Sequence, residues 1–181
     1  MADHHEHGQP GHVHDESCAV AHGAAPAPID DKVLAVVFAS PVASYLLRYG
    51  TDVGYRTVLV EPDAERRHGW ADSFEHTDQI DAATANATDV VLTDHHRAEL
   101  GIQLRDALAA GVRWVGIMGN PRVEPPHVAA LTELGVPDSE ISKVHRPIGV
   151  NIGSRTPAEI AISTIAGLIA DRNGKPGGFT F

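Results

Sequence analysis

The sequence predicts an α/β fold, an open and mostly parallel Rossmann-like sheet with helices on both faces. Three observations predict it. Four apolar runs, Lys32–Phe38, Thr57–Val60, Asp89–Thr93 and Trp114–Met118, lack alternation and read as strands covered on both sides. Segments with apolar residues at helical spacing stand between them. The first strand, first helix and second strand together fit one βαβ unit of about 30 residues. The 17 Gly and 12 Pro among 181 residues supply the frequent breaks that short alternating elements need.

Taken in order, residues 1–29 read as a tail. They show no apolar periodicity, end in an Ala/Pro linker and hold His4, His5, His7, His12, His14 and His22, so composition predicts disorder. The domain then runs over residues 30–172. After the first strand, Ala39-Ser40-Pro41 breaks the chain and Val42 to Val53 repeats apolar residues as a helix does, closed by Gly54. The second strand ends in Glu61-Pro62-Asp63. Residues 64–88 are polar, with one short strand near Thr77 to Ile80. A helix from about Ala98 to Ala110 follows the Asp89 strand, and another from Val123 or Glu124 to Leu134 follows the Trp114 strand. Gly135 and Pro137 stop the latter. Ile141 to Val144 reads as a short strand or turn. The last helix has Thr156 as N-cap, Pro157 in its first position and Glu159 reaching back to the cap. Residues 173–181 read as a loose end.

At 43% hydrophobic the chain holds enough apolar mass for one core. Its formal charge of −10 is uneven: residues 1–31 carry six acids and no Lys or Arg, while residues 32–181 carry 18 acids against 14 bases. The bases are not clustered, which argues against a nucleic-acid surface. No apolar run approaches the ~20 residues of a membrane span, and no signal-peptide pattern opens the chain. Cys18 is the only cysteine, which excludes an internal disulfide and points to a reducing, cytoplasmic setting.

Ligands of such sheets bind beyond the carboxyl ends of the strands, here Phe38-Ala39-Ser40, Glu61, Thr93-Asp94 and Met118-Gly119-Asn120. The first turn reads F-A-S-P-V-A-S rather than G-x-G-x-x-G, and Pro41 removes a donor, which speaks against ordinary pyrophosphate binding. Glu61 stands about 20 residues on, where an acid can hydrogen-bond a ribose and favour NAD over NADP. An NAD-dependent oxidoreductase is therefore one reading. Thr93-Asp94-His95-His96 could serve proton transfer through an imidazole such as His96, or be a polar loop. Two glycine-bearing stretches carry the main expectation. Gly116, Gly119, Asn120 and Arg122 follow one apolar run; His145, Gly149, Asn151, Gly153 and Thr156 lead into the last helix. They are expected to wall one crevice, with helix amides and Arg122 holding a phosphate. The alternative is that glycines and cap only turn the chain. In the tail, His4, His5, His7, His12 and His14 suit Zn or Ni, which makes metal delivery a third reading.

The stretch VHRPIGVNIGSRTPAEIAISTIAGLIA (144–170) resembles the closing signature of the XdhC/CoxF family, H-x-P-I-G-L-D-I-G-x-x-T-P-E-E-I-A-x-S-I, and WVGIMGNPR resembles its Y-I-G-L-I-G-S-R segment. Gly116, Gly119 and Arg122 match the second of these; His145, Pro147, Gly149, Gly153, Thr156, Pro157 and Glu159 match the first, with Asn151 in place of aspartate. The family's G-x-G-H-V-A loop survives only as Val42-Ala43, and its cysteine-bearing N-terminal domain has no counterpart here. The resemblance implies a maturation factor that binds the molybdenum cofactor (molybdopterin) and helps insert it into a molybdenum hydroxylase of xanthine dehydrogenase or CO dehydrogenase type. It implies a carrier and chaperone rather than a turnover catalyst. Its partners would be the apoenzyme, a separate protein carrying the N-terminal domain, and a second copy in a homodimer.

Overall fold

Every residue of Val33–Val37 (β1) is buried, because the sheet has strands on both sides of it and helices on both faces. The computed structural model describes residues 16–26, 30–70, 72–120 and 122–178. In order they form α1 (Glu16–Ala21), β1, α2 (Pro41–Asp52), β2 (Arg56–Val60), α3 (Ala64–His68), β3 (His76–Thr77), a 3₁₀ turn (Ala82–Ala87), β4 (Thr88–Leu92), α4 (Leu100–Ala110), β5 (Trp114–Ile117), α5 (Pro126–Glu133), α6 (Asp138–Ile141) and α7 (Pro157–Arg172). The strands lie in the order β3-β2-β1-β4-β5, and all of the pairs are parallel. Beyond β5, a single parallel bridge joins Gly116 to His145 where a sixth strand would run. This is the Rossmann order, and the strand order reverses between β1 and β4.

Alternate residues of each strand serve opposite cores. Leu34, Val36, Leu59 and Val91 meet Leu46, Leu47, Ile165 and Leu168 of α2 and α7. Ala35, Val37, Val90, Leu92 and Ile117 meet Leu100, Leu104, Leu131 and Ile141 of α4, α5 and α6. The four expected long strands are present, each shifted by a residue or two at its ends. Among the described residues no helix is long and apolar enough to cross a membrane.

Three segments depart from expectation. Ile141 closes α6 rather than opening a strand, because Pro137 starts a helical turn whose first residues, Asp138 and Glu140, suit a helix N-terminus. Within residues 64–88, Asp63 accepts the Glu65 and Arg66 amides at 2.9 and 3.1 Å and so nucleates α3. Glu16–Ala21 forms α1 inside the stretch that composition assigned to a disordered tail. His4, His5, His7, His12 and His14 lie outside the described residues.

Candidate functional site

Four strand ends build the carboxyl edge of the sheet. At the end of β1, Phe38 takes φ +74°, a left-handed conformation that favours glycine, while its side chain is fully buried. The Ser40 hydroxyl caps α2 by accepting the Ala43 amide at 3.1 Å and donates to Thr93 Oγ1 at 2.9 Å. Thr93 donates in turn to Phe38 O at 2.8 Å. These bonds tie the β1 and β4 ends together at the point where the strand order reverses. The Ala39 amide is also committed, to Glu61 Oε2 at 2.8 Å. With Pro41 lacking an N–H, the turn offers little to a pyrophosphate, which weakens the dinucleotide reading.

Glu61 corrects the sequence expectation. It is fully buried and receives four bonds: Asp63 N at 3.0 Å and Arg97 Nη2 at 2.9 Å on Oε1, Ala39 N at 2.8 Å and Arg97 Nη1 at 3.1 Å on Oε2. A carboxylate has about four lone-pair sites, so none is left for a ribose hydroxyl. Arg97, which the sequence did not single out, organises this edge. It also bonds Glu99 at 3.0 Å and lies 4.6 Å over the Phe38 ring. Both carboxylates hold its guanidinium above the ordinary arginine pKa.

Past β5, Asn120 Oδ1 accepts the Arg122 amide at 3.0 Å and shapes a tight turn. Arg146 fastens that turn from outside, donating to Asn120 O at 2.8 Å and Val123 O at 3.0 Å. Gly119 is glycine because of this: a Cβ there would fall 2.6 Å from Arg146 Nε. Arg122 is exposed, and its guanidinium has no partner among the described residues. On the adjoining turn His96 is exposed, its amide bonded to Asp94 at 2.9 Å, and its ring lies 4.0 Å from that of His95. Burial, His96 and the Arg146 charge press His95 below the usual imidazole pKa, against Asp94 and a Met118 backbone hydrogen bond.

His127 stands in the first turn of α5, buried, with no partner for Nδ1; Arg146 Nε is likewise buried and unpaired. Burial first, and the Arg146 charge second, lower the His127 pKa from 6.5. The unfolded chain therefore binds more protons than the folded one below that value. Stability should be full above pH 6.5 and fall as pH drops through it. His127→Gln is expected to flatten this part of the stability–pH curve in urea titrations; an unchanged slope would acquit His127.

The second glycine stretch also departs from expectation. Gly149 has φ +86°, and a Cβ there would lie 2.6 Å from Ser163 Oγ and 3.0 Å from its carbonyl carbon, so the glycine seats the turn on α7. At the start of α7 the capping box is complete: Thr156 Oγ1 accepts Glu159 N at 3.3 Å, while Glu159 Oε2 accepts Arg155 N at 2.7 Å and Thr156 N at 3.2 Å. These hydrogen bonds hold the Glu159 carboxyl below its ordinary pKa. An ionised carboxylate already holds the Arg155 and Thr156 amides, and Thr156 Oγ1 the Glu159 amide, so the entry to α7 has few donors and a like charge facing a phosphate, contrary to the sequence expectation.

The two stretches touch through Arg146, but the cavity beside the second does not take in the turn of the first. A cavity of about 500 Å³ includes His145, Gly149 and Asn151 in its lining but none of Gly119, Asn120, Arg122, Gly153 or Thr156. It opens beside Trp114, at the start of β5, where the His145 ring stacks on the indole at 4.9 Å and 11°. Gly116 makes room for that indole, since a Cβ would fall 2.3 Å from Trp114 Cη2 and 2.7 Å from Ile148 Cγ2. Gly116→Ala is expected to destabilise the fold by about 1–3 kcal/mol through overpacking; an unshifted thermal midpoint would contradict this contact. Among the described residues, no group of three or more His, Cys, Asp or Glu could hold a metal ion.

The fold and its edges define a Rossmann-type α/β domain whose first turn has given up the usual phosphate contacts. The family model of the XdhC Rossmann domain matches residues 34–168. The chain belongs to that family. Over 67 residues it is 39% identical to the uncharacterized protein YqeB of Escherichia coli K12, covering 37% of this chain and 12% of YqeB. A crystal structure of a xanthine dehydrogenase from Bacillus halodurans superposes with a TM-score of 0.61 at 23% identity, over 83% of this chain and 45% of that one. At that identity the likeness shows the shared fold. The chain spans less than half the length of either relative.

Proposed function

We propose that this protein is an XdhC-type accessory factor that binds the molybdenum cofactor and assists its insertion into a molybdenum hydroxylase of xanthine dehydrogenase or CO dehydrogenase type. The observation that carries the reading is the family match across residues 34–168, which spans the whole sheet and α7 nearly to its end. The donor set at the carboxyl edge fits an anionic group: the unengaged Arg122 guanidinium and the His95–His96 pair stand on neighbouring turns, since Leu92 of β4 pairs with Ile117 of β5. Arg122, with Asn120 shaping its turn, would hold the cofactor's phosphate, and His96 would contact its ring or the client. The bound group would supply the redox centre of the client enzyme; this chain would hold and orient it. The reading sets the work in the cytoplasm, with the apoenzyme and a polypeptide carrying the family's N-terminal domain as partners.

The test is to purify the protein from a host that makes molybdopterin and identify the bound small molecule by mass spectrometry. A pterin is expected, and recovery of a nicotinamide nucleotide instead would overturn the reading. Arg122→Ala should weaken pterin binding by about 1.5–3 kcal/mol, the contribution of a hydrogen bond to a charged group. Unchanged affinity in calorimetry would remove Arg122 from the site.

A further inference from the structure

The cavity beside Trp114 lies at the other end of β5 from the carboxyl edge and belongs to none of the interactions described there. Its volume of about 500 Å³ falls in the range of small-molecule pockets, about 300–1,000 Å³. Its chemistry has three parts. Trp114 and Ile148 give it an aromatic and aliphatic wall, and the exposed His145 ring, stacked on the indole, adds a second planar group to that wall. The Asn151 amide, which presents a donor and an acceptor side by side, has no partner among the described residues. Two charges stand at the rim. Asp171 is neutralised by Arg113, which donates to it at 2.7 Å, whereas the Lys175 ammonium has no partner among the described residues. The uncompensated charge is therefore positive.

We infer that this cavity binds a small planar heteroaromatic ring bearing one anionic arm, of the purine nucleoside monophosphate kind. The ring lies against the Trp114–His145 wall, Asn151 pairs with the ring's adjacent donor and acceptor, and Lys175 meets the anion. The inference goes beyond the maturation role and does not rest on it, because its residues and its readout are separate.

A Trp70→Phe protein, which leaves Trp114 as the single indole, is titrated with guanosine monophosphate and, separately, with inorganic phosphate. Indole fluorescence and calorimetry are read together. Saturable binding of the nucleotide is expected, weakened about 10- to 100-fold by Lys175→Ala and by Asn151→Ala, as for loss of a charge-assisted or two-point hydrogen bond. Both side chains are exposed, so the variants should keep the circular dichroism of the parent. No heat and no quenching up to about 1 mM, a free energy of only about −4 kcal/mol, would overturn the inference. So would binding that survives both substitutions, inorganic phosphate competing as well as the nucleotide, or binding that is lost instead in Arg122→Ala, which would put the ligand at the carboxyl edge.

Discussion

Asp89→Ala is expected to lower stability by about 3–5 kcal/mol, the cost of removing one partner from a buried ion pair. Asp89 is fully buried in β4 and gathers three donors: the Tyr55 hydroxyl at 2.8 Å, Arg172 Nε at 2.8 Å and Arg113 Nε. Arg172 continues to Ala87 O at 2.8 Å, so the last turn of α7 is tied to the start of β4. Burial, with Asp89 beside it, drives the Tyr55 phenol well above its ordinary pKa, so it stays a donor. Without the carboxylate, two guanidinium groups lose their shared partner. Asp89→Asn, which keeps the shape and one acceptor oxygen, should lose less. Urea denaturation of the two variants distinguishes charge from shape, and a loss under about 1 kcal/mol for Asp89→Ala would deny the network its role.

Arg97→Ala is expected to cost a similar 3–5 kcal/mol or so, for the mirror reason. It leaves Glu61 at zero exposure with two backbone amides and no cation. It also removes the guanidinium from the Phe38 ring. Replacing both partners, Arg97→Met with Glu61→Gln, should recover part of the loss, because the uncompensated buried charge is gone. A double-mutant cycle in urea measures that recovery. Additive losses would mean that Arg97 and Glu61 act independently, against the bidentate geometry. The ligand reading adds a contrast: Arg122→Ala is expected to leave stability nearly unchanged, since its side chain is exposed and has no hydrogen-bond or ion-pair partner among the described residues.

The fold was legible because periodicity reports burial. Val33–Val37 reads as one apolar run since both its faces are covered, and Thr156-Pro157-Glu159 spelled out a helix start that the coordinates bear out to the atom. The edges of the site were less legible. Glu61 stood where a ribose-binding acid stands, but its role depends on Arg97, a residue 36 positions later that no local pattern links to it. The glycines misled in a different way. Gly116, Gly119 and Gly149 do mark close approach, as expected of glycine. The approaching atoms belong to Trp114, Arg146 and Ser163 rather than to a ligand, and sequence cannot tell one visitor from another. The capping box, read correctly, already implied that the Thr156 and Glu159 amides were taken. Asp63 before Ala64-Glu65 was a readable cap signal for α3.

The seating of Gly149 against α7 restricts how this domain can move. A Cβ on Gly167 would lie 3.0 Å from Gly149 Cα, so backbone rests on backbone with no side chain between them to swing aside. A 147–150 turn that lifted away from α7 would give up this contact and the hydrogen bonds from Val150 N to Ser163 O and from Ser163 Oγ to Val150 O. A rearrangement that kept those bonds would carry α7 along, as a shear across the neighbouring α2 and the strands beneath, and would reach the end of the same helix, where Arg172 meets Asp89.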